Sequence, residues 1–336
     1  MSEEILLTCP ANGEQNIPLI RQDYLELVAQ RGEYYEQSDY DINNMDRLCF
    51  PEPVILKWQG GSAPFQVKLY QSDLKVPQIF HTDSHEFAVW NLQSHTIYRW
   101  SVSDQKGMTS GEFSFTTASS PRLIMFPERE CGPINFRDAG GYSTFFGGRV
   151  KQGMVYRRSD YNMFVQTCDE NKDFMLNVLN IRTELDLRYP QDTVNRTSSD
   201  LGSTVQWIHR PVNAYHSFIP EQNILFRDTM RVFADPAIYP VFVHCNGGCD
   251  RTGEIIFLLN ALLGVSDEDL LQDYELTSLS LFSRKRNIAY FAEWRNTIAG
   301  FADPDSPYRV SVEAYLRHLG ITDEEIRMIR LNLLEK

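Results

Sequence analysis

The stretch VFVHCNGGCDRTG, Val241–Gly253, decides the fold of the larger part of this 336-residue chain. An apolar strand pattern runs into a cysteine, and glycines and an arginine then precede a predicted helix start at Thr252. Glycines let the backbone curl so that successive N–H groups converge on one point, and the start of a helix adds positive partial charge there. The pattern therefore predicts an anion-binding loop between a buried strand and a helix.

Cys245 and Arg251 determine the chemistry predicted for this loop. The Arg251 guanidinium is a planar fork that matches two phosphate oxygens. In the positive field of the loop, we expect the pKa of the Cys245 thiol to fall well below its free value of about 8.5. A nucleophile, an oxyanion cradle and a bidentate arginine on one loop predict displacement at phosphorus through a cysteinyl-phosphate.

Five ordered motifs resemble the protein tyrosine phosphatases, and within them the atypical bacterial and fungal tyrosine/serine phosphatases. The loop itself has the pattern H-C-x-x-G-x-D-R-T-G from His244 to Gly253. The other motifs, in chain order, are Asn135–Gly141 (NFRDAGG), Val150–Ser159, Ile181–Arg188, and Leu262–Val265 with Asp273-Tyr274. The resemblance spans about residues 122–336 and implies an α/β phosphatase domain there.

The resemblance also implies roles for individual residues. Cys245 is expected to be the nucleophile, Arg251 to hold the phosphate, and Thr252 to stabilise the departing thiolate. His244 is expected to steady the loop, and Arg137 with Asp138 to support it, either as a structural ion pair or by direct contact with substrate. The residues expected to bind phosphate are Asn246, Gly247, Gly248, Cys249, Asp250 and Arg251.

The general acid is less directly marked. Most tyrosine phosphatases carry an Asp on a separate loop about 30 residues upstream, but Asn213–His216 contains no acid. In the atypical family the Asp beside the loop arginine is thought to serve, which implies Asp250 here. His216, Asp228 and Asp138 are the alternatives.

Cys249 departs from the atypical family, which usually has Lys at this position. Loss of this cation is expected to weaken the attraction for substrates with several phosphates by roughly 1 kcal/mol or more. Cys249 is either a tolerated small residue or a thiol that traps an oxidised Cys245 as a reversible disulfide.

Residues 52–117 have the period-two, aromatic pattern of short strands separated by turns. Leu92, Tyr98 and Trp58 resemble the tyrosine corner and core tryptophan of a fibronectin type III domain, a resemblance that covers roughly residues 3–118. Residues 15–50 do not fit a minimal sandwich and predict a helical insertion, either packed on the sandwich edge or acting as a flap near the active site. Strands are predicted at 5–8, 53–58, 65–70, 86–90, 96–102 and 111–116.

The fold class predicted is therefore multidomain: an all-β immunoglobulin-like (fibronectin type III-like) sandwich at 1–118, followed by an α/β tyrosine-phosphatase-like domain at 122–336 with a helical C-terminal part. Four strands and six helices are predicted in the second domain. The strands are 154–157, 183–187, 205–209 and 241–244, and the helices are 169–179, 252–263, 267–279, 284–297, 311–318 and 322–334.

Composition limits the partners. The formal net charge of −13 argues against a general nucleic-acid binder, and no apolar segment is long enough for a membrane span. Six dispersed cysteines are too few for a disulfide scaffold and lack zinc-knuckle spacing. We expect no cofactor or metal. A cytoplasmic location fits the chain as given, and export fits if a leader was removed.

The function predicted is a phosphotyrosine phosphatase that acts on a protein or peptide. Two alternatives stay open: a phosphoinositide or inositol-phosphate phosphatase, and a phosphopeptide-binding adaptor without turnover.

Overall fold

A computed structural model describes residues 4–22, 26, 50–72, 74–161, 166–215, 219–280 and 288–335. The chain forms two compact units, one of Met1–Leu25 with Phe50–Met125 and one of Glu26–Cys49 with Phe126–Lys336. Within the described residues, no helix is both long enough and apolar enough to cross a bilayer.

The first unit consists of two β-sheets. One sheet has the strand order β1-β3-β6 and the other β2-β8-β7-β4-β5. The strands of these sheets are β1 Leu6–Cys9, β2 Glu14–Ile17, β3 Val54–Gln59, β4 Phe65–Gln71, β5 Gln78–Thr82, β6 Glu86–Val89, β7 Ile97–Asp104 and β8 Phe113–Thr117. A short strand that belongs to neither sheet, β9, spans Arg122–Leu123. The six strands predicted from alternation are confirmed. Strands β2 and β5 were not predicted because each lies at a sheet edge, where its mostly exposed residues show no alternation.

Aromatic side chains fill the core between these sheets. Trp58 and Trp100 are buried, and Trp58 packs edge-on against Phe65. The hydroxyl of Tyr98 accepts a hydrogen bond of 2.8 Å from the backbone N–H of Gln93, five residues upstream. A contact of this kind is typical of a tyrosine corner. The fibronectin type III identity of the unit stays a prediction, and most of the predicted insertion at 15–50 lies outside the described residues.

The second unit is built on a mixed sheet with helices. Its strands have the order β14-β13-β15-β12-β10, and β12, β13, β14 and β15 run parallel. The bounds are β10 Arg137–Asp138, β11 Arg149–Val150, β12 Val155–Arg158, β13 Thr183–Asp186, β14 Gln206–His209, β15 Val241–His244, β16 Leu334–Glu335, α1 Asp169–Asn177, α2 Pro220–Val232, α3 Asp250–Leu262, α4 Asp267–Ser280, α5 Ile288–Ala299, α6 Tyr308–His318 and α7 Asp323–Leu333.

The predicted strands and helices of this unit are confirmed where the structure describes them, and helix α2 and the short strands β10, β11 and β16 were not predicted. Parallel strands are buried on both faces, so β15 appears in the sequence as a continuous apolar run. Helix α2 begins at Pro220 and buries Phe226, Met230 and Val232, but most of its other positions are polar or partly exposed, which hid its periodicity. The residues before Ile288 in the predicted helix 284–297 lie outside the described part of the chain.

A disulfide joins Cys131 to Cys168, 37 residues further along the chain. Cys168 is the residue that caps the start of α1. The cysteine pattern did not predict this bridge, because the spacing of cysteines alone does not determine which of them pair.

Candidate active site

The loop from Cys245 to Arg251 connects β15 to α3 and includes the first two residues of α3, at the carboxyl end of the strand that β12 and β13 flank. Cys245 is 3% exposed and lies at the base of the loop. Asp250 and Arg251 are half-buried and form the first residues of α3. A buried thiol beneath partly exposed polar groups is the order expected for a site that admits one small anionic group.

Three consecutive carbonyl groups of the loop are held by donors from neighbouring segments. The backbone N–H of Asp160 donates to the Asn246 carbonyl at 2.7 Å. The side-chain amide of Asn135 donates to the carbonyls of Gly247 at 3.2 Å and Gly248 at 2.9 Å. Because the N–H and C=O of a planar trans peptide point in opposite directions, fixing the carbonyls also fixes the direction of the N–H groups. The loop is thus preorganised as an anion cradle.

Gly248 is required by both conformation and space. Its φ of +67° lies in the left-handed region, and a Cβ added there would lie 2.2 Å from the carbonyl oxygen of Arg158. Any other residue would force the loop away from β12.

Beneath the loop, one carboxylate lies between two arginines. Asp273 on α4 pairs with Arg137 at 2.7 Å and with Arg157 at 2.5 Å, and all three side chains are buried. Arg157 also donates to the Gly248 carbonyl at 2.8 Å, which connects this cluster to the loop. Burial would raise the pKa of Asp273, but the two guanidinium groups outweigh burial and lower the pKa to about 2.

The prediction of an ion pair between Arg137 and Asp138 is wrong, since the carboxylate partner of Arg137 is Asp273. Adjacent residues of β10 point to opposite faces, so a pair between chain neighbours is disfavoured. Asp138 instead accepts hydrogen bonds from the backbone N–H groups of Gly140 at 2.8 Å and Gly153 at 2.7 Å.

His244 anchors the other side of the loop. Its Nε2 lies 2.9 Å from a Glu184 oxygen and 3.6 Å from an Asp186 oxygen, and its Nδ1 lies 3.2 Å from the Cys245 carbonyl oxygen. Burial would raise the pKa of Glu184, but its hydrogen bond with His244 and the charge of Arg196 hold the pKa below its usual value. The ring is thereby fixed in orientation against Cys245.

Glu184, Asp186 and His244 have ligand atoms within 4.8 Å of one another, which is a spacing that could hold a metal ion. However, Arg196 donates to both carboxylates, at 2.5 Å to Glu184 and 3.2 Å to Asp186. Arg188 adds a bidentate contact to Asp186. A cation here would have to displace these guanidinium groups, so the donor set fits an internal ion-pair network rather than a metal centre.

The Arg251 side chain is oriented by three contacts. It donates to the Asn246 side-chain oxygen at 2.7 Å and to the Leu187 carbonyl at 3.4 Å, and its guanidinium carbon lies 4.4 Å from the centre of the Tyr189 ring. Fixing the guanidinium in advance reduces the entropy lost when it binds two phosphate oxygens.

The candidates for the general acid are separated by their surroundings. Asp250 accepts a hydrogen bond of 2.8 Å from the hydroxyl of Tyr215 at the mouth of the loop. Asp228 lies on α2, where it pairs with Arg227 at 3.0 Å, and Asp138 is fully buried against backbone N–H groups. His216 lies outside the described residues. Of the candidates that the structure describes, Asp250 is therefore the one that belongs to the loop.

Thr252 and Cys249 complete the loop. The Thr252 hydroxyl is buried and has no hydrogen-bond partner in the described part of the chain, so it is an unused donor at the first turn of α3. The Cys249 thiol lies 3.7 Å from the Gly247 carbonyl oxygen.

Several residues that shape the site carried no role in the sequence analysis. Asn135 and Asp273 lay inside recognised motifs, so the motifs marked them without showing what they contact. Tyr215 and Glu254 lay in no motif, and the sequence held no signal for either of them.

Comparison with known proteins establishes the family. Residues 131–335 match the tyrosine phosphatase family, and the chain therefore belongs to it. A protein of Cupriavidus necator named a "putative tyrosine-protein phosphatase" is 27% identical over an alignment of 183 positions that covers 46% of this chain. The matched part spans only 62% of that relative.

Two solved structures of Siw14 also match part of the chain. One is the core catalytic domain of the PP-IP phosphatase Siw14 from S. cerevisiae with citrate; it is 20% identical, with a TM-score of 0.34 over 55% of this chain and 95% of that one. The other, a Siw14 catalytic core, is 19% identical, with a TM-score of 0.33 over 55% and 94%. Likeness at this level carries no information about the substrate of this chain.

Proposed function

We propose that this protein hydrolyses phosphotyrosine in proteins or peptides through a cysteinyl-phosphate at Cys245. The observation that carries the proposal is the loop itself, whose carbonyls are held by Asp160, Asn135 and Arg157 so that the direction of its N–H groups is fixed before an anion binds. Family membership supports a phosphate ester as substrate. The absence of a cation at Cys249 favours a substrate with a single phosphate over one with several.

The proposed reaction has two steps. Cys245 Sγ attacks phosphorus, the bond to the tyrosine oxygen breaks, and Asp250 gives its proton to that oxygen. Water then attacks the phosphocysteine, Asp250 takes a proton from this water, and the sulfur leaves as a thiolate. Arg251 and the loop N–H groups bind the phosphoryl oxygens throughout. The Thr252 hydroxyl, which has no hydrogen-bond partner among the described residues, donates to the departing sulfur.

Replacing the nucleophile tests this function. Cys245→Ser is expected to abolish release of phosphate from a phosphotyrosine peptide while the circular dichroism spectrum is unchanged, because a serine hydroxyl is not ionised in the same field. Retained turnover would contradict the proposal.

A substrate panel sharpens the outcome. Wild-type protein assayed with a phosphotyrosine peptide, a phosphoserine peptide and a phosphoinositide is expected to prefer the first. Preference for the phosphoinositide would favour the inositol-phosphate alternative. Tight peptide binding without turnover by wild-type protein would favour the adaptor.

A further inference from the structure

Tyr215, in the segment after β14, is tied to helix α3 at two points. Its backbone N–H donates to Glu254 Oε2 at 2.9 Å, and its hydroxyl donates to Asp250 Oδ1 at 2.8 Å. Asp250 and Glu254 are one helical turn apart, so both lie on the same face of α3. Tyr215 has a φ of +61°, a left-handed conformation that a tyrosine keeps only where its surroundings hold it.

Glu254 is suited to hold this backbone as a neutral acid. Its side chain is fully buried, and burial, with a further contribution from the charge of Asp250, raises its pKa well above the usual value despite the hydrogen bond from Tyr215. Its second oxygen, Oε1, has no partner in the described residues. A neutral carboxyl group can lie one turn from Asp250 without like-charge repulsion.

Tyr274 completes the arrangement. Its hydroxyl is hydrogen-bonded to the hydroxyl of Tyr215, and its ring is stacked on Phe291 with centroids 3.6 Å apart. A hydroxyl has one hydrogen. Because Tyr215 gives its hydrogen to Asp250, the hydrogen between the two tyrosines comes from Tyr274. The direction of donation is thus Tyr274 to Tyr215 to Asp250.

Resting on the role proposed for Asp250, we propose that Tyr215 is a positioning residue that selects which oxygen of Asp250 protonates the leaving group. With Oδ1 accepting from Tyr215, the transferable proton is carried by Oδ2. In the first step this proton passes from Oδ2 to the tyrosine oxygen as the oxygen–phosphorus bond breaks and the sulfur–phosphorus bond forms. Tyr215 keeps its own hydrogen throughout.

Two aryl phosphates distinguish positioning from general structural damage. Phenoxide is a poor leaving group and needs the proton, whereas 4-nitrophenoxide needs it much less. General acid catalysis contributes about 10²–10⁴-fold, and misplacing the acid should forfeit part of that factor. Tyr215→Phe is therefore expected to lower kcat for phenyl phosphate about tenfold, with KM little changed, and to lower kcat for 4-nitrophenyl phosphate far less.

The same change is then made in an Asp250→Ala background, where no further loss is expected. The matched control is Tyr239→Phe, which removes another tyrosine hydroxyl of this unit, bonded to the Phe233 carbonyl, and should leave both rates unchanged. Wild-type kinetics in Tyr215→Phe, equal losses on both substrates, or a loss that persists without Asp250 would each overturn the inference.

Glu254 offers a test that leaves Tyr215 intact. Glu254→Met removes the acceptor for the Tyr215 N–H and should reproduce the leaving-group pattern of Tyr215→Phe. Glu254→Gln keeps a carbonyl acceptor and should retain most of the wild-type rate. A rate as low as that of Glu254→Met would argue against a role for the hydrogen bond between the Tyr215 N–H and residue 254. Full activity of Asp250→Ala would overturn both this inference and the acid assignment, whereas turnover by Cys245→Ser would overturn the proposed function itself.

Discussion

The two units bury different kinds of large side chain. In the first unit, the sandwich, the largest fully buried residues are aromatic, such as Trp100 and Phe65. In the second, the phosphatase unit, they include Arg137 and Arg157. Burying a guanidinium costs several kcal/mol unless it is paired and fully hydrogen-bonded. An apolar core would be the simpler route to stability, so the buried charges indicate that the phosphatase unit uses part of its stability to fix the geometry of its loop.

The largest loss of stability is expected on replacing Asp273, whose carboxylate neutralises the buried arginines. Asp273→Asn removes the carboxylate between Arg137 and Arg157 and leaves two buried cations without their counter-charge. Unfolding free energy is expected to fall by about 3–5 kcal/mol, measured by urea denaturation. Glu86→Gln, which breaks the exposed Lys57–Glu86 pair of the sandwich, is the control and should change little.

The pH dependence of stability gives a second test of the same ion pairs. The pKa of Asp273 is lowered from 3.8 to about 2 by folding, so its contribution is fully present above about pH 4 and is lost as the pH falls towards 2. That contribution is about 2 kcal/mol. Hydrogen exchange between pH 2 and 5 should show this increment in β10, β12 and α4 of wild type and not in Asp273→Asn. The idea fails if both proteins have the same pH dependence.

The next effect concerns covalent cross-linking. The bridge Cys131–Cys168 lies in the phosphatase unit, whereas Cys9 of the sandwich is an exposed free thiol. Replacing both bridged cysteines by Ser should lower the unfolding free energy by about 2–4 kcal/mol, because the unfolded chain gains entropy. Dithiothreitol should lower wild type to the same level, and Cys9→Ser should have no effect. Unchanged stability in the double variant would contradict the bridge.

A disulfide persists in oxidising compartments. The bridge therefore favours an exported protein over the cytoplasmic location expected from the sequence, and this stays a proposal. Mass spectrometry of protein alkylated without reduction, isolated from its native host, would show whether these two cysteines are paired there.

The smallest expected effect is on recovery from oxidation rather than on stability. Peroxide oxidises the sulfur of Cys245 to a sulfenic acid, and the Cys249 thiol can displace water from it to form a disulfide that dithiothreitol reduces. Activity after peroxide treatment should then recover in wild type and less completely in Cys249→Ser. Cys9→Ser, a change at an exposed thiol of the sandwich, should recover like wild type. Equal recovery in all three would leave Cys249 as a small residue without a redox role.

The sequence predicted local structure where one pattern dominates a segment. The apolar run of β15 and the helix predicted at 322–334 are both present in the structure. Prediction failed where the pattern was weak, as at the exposed edge strands β2 and β5 and at the mixed surface of α2. The adjacent charges Arg137-Asp138 suggested a pair, but alternation along β10 separates them.

Taken alone, the sequence determined the identity of the loop residues, because a cysteine, two glycines and an arginine between a strand and a helix have few other chemical uses. Tertiary structure alone decided which distant groups hold that loop. Asp273 lies 136 residues from Arg137, and Tyr215 lies 35 residues from Asp250. Such contacts depend on sheet register and helix packing, which bring buried groups together irrespective of their separation in the chain, and no local pattern records them.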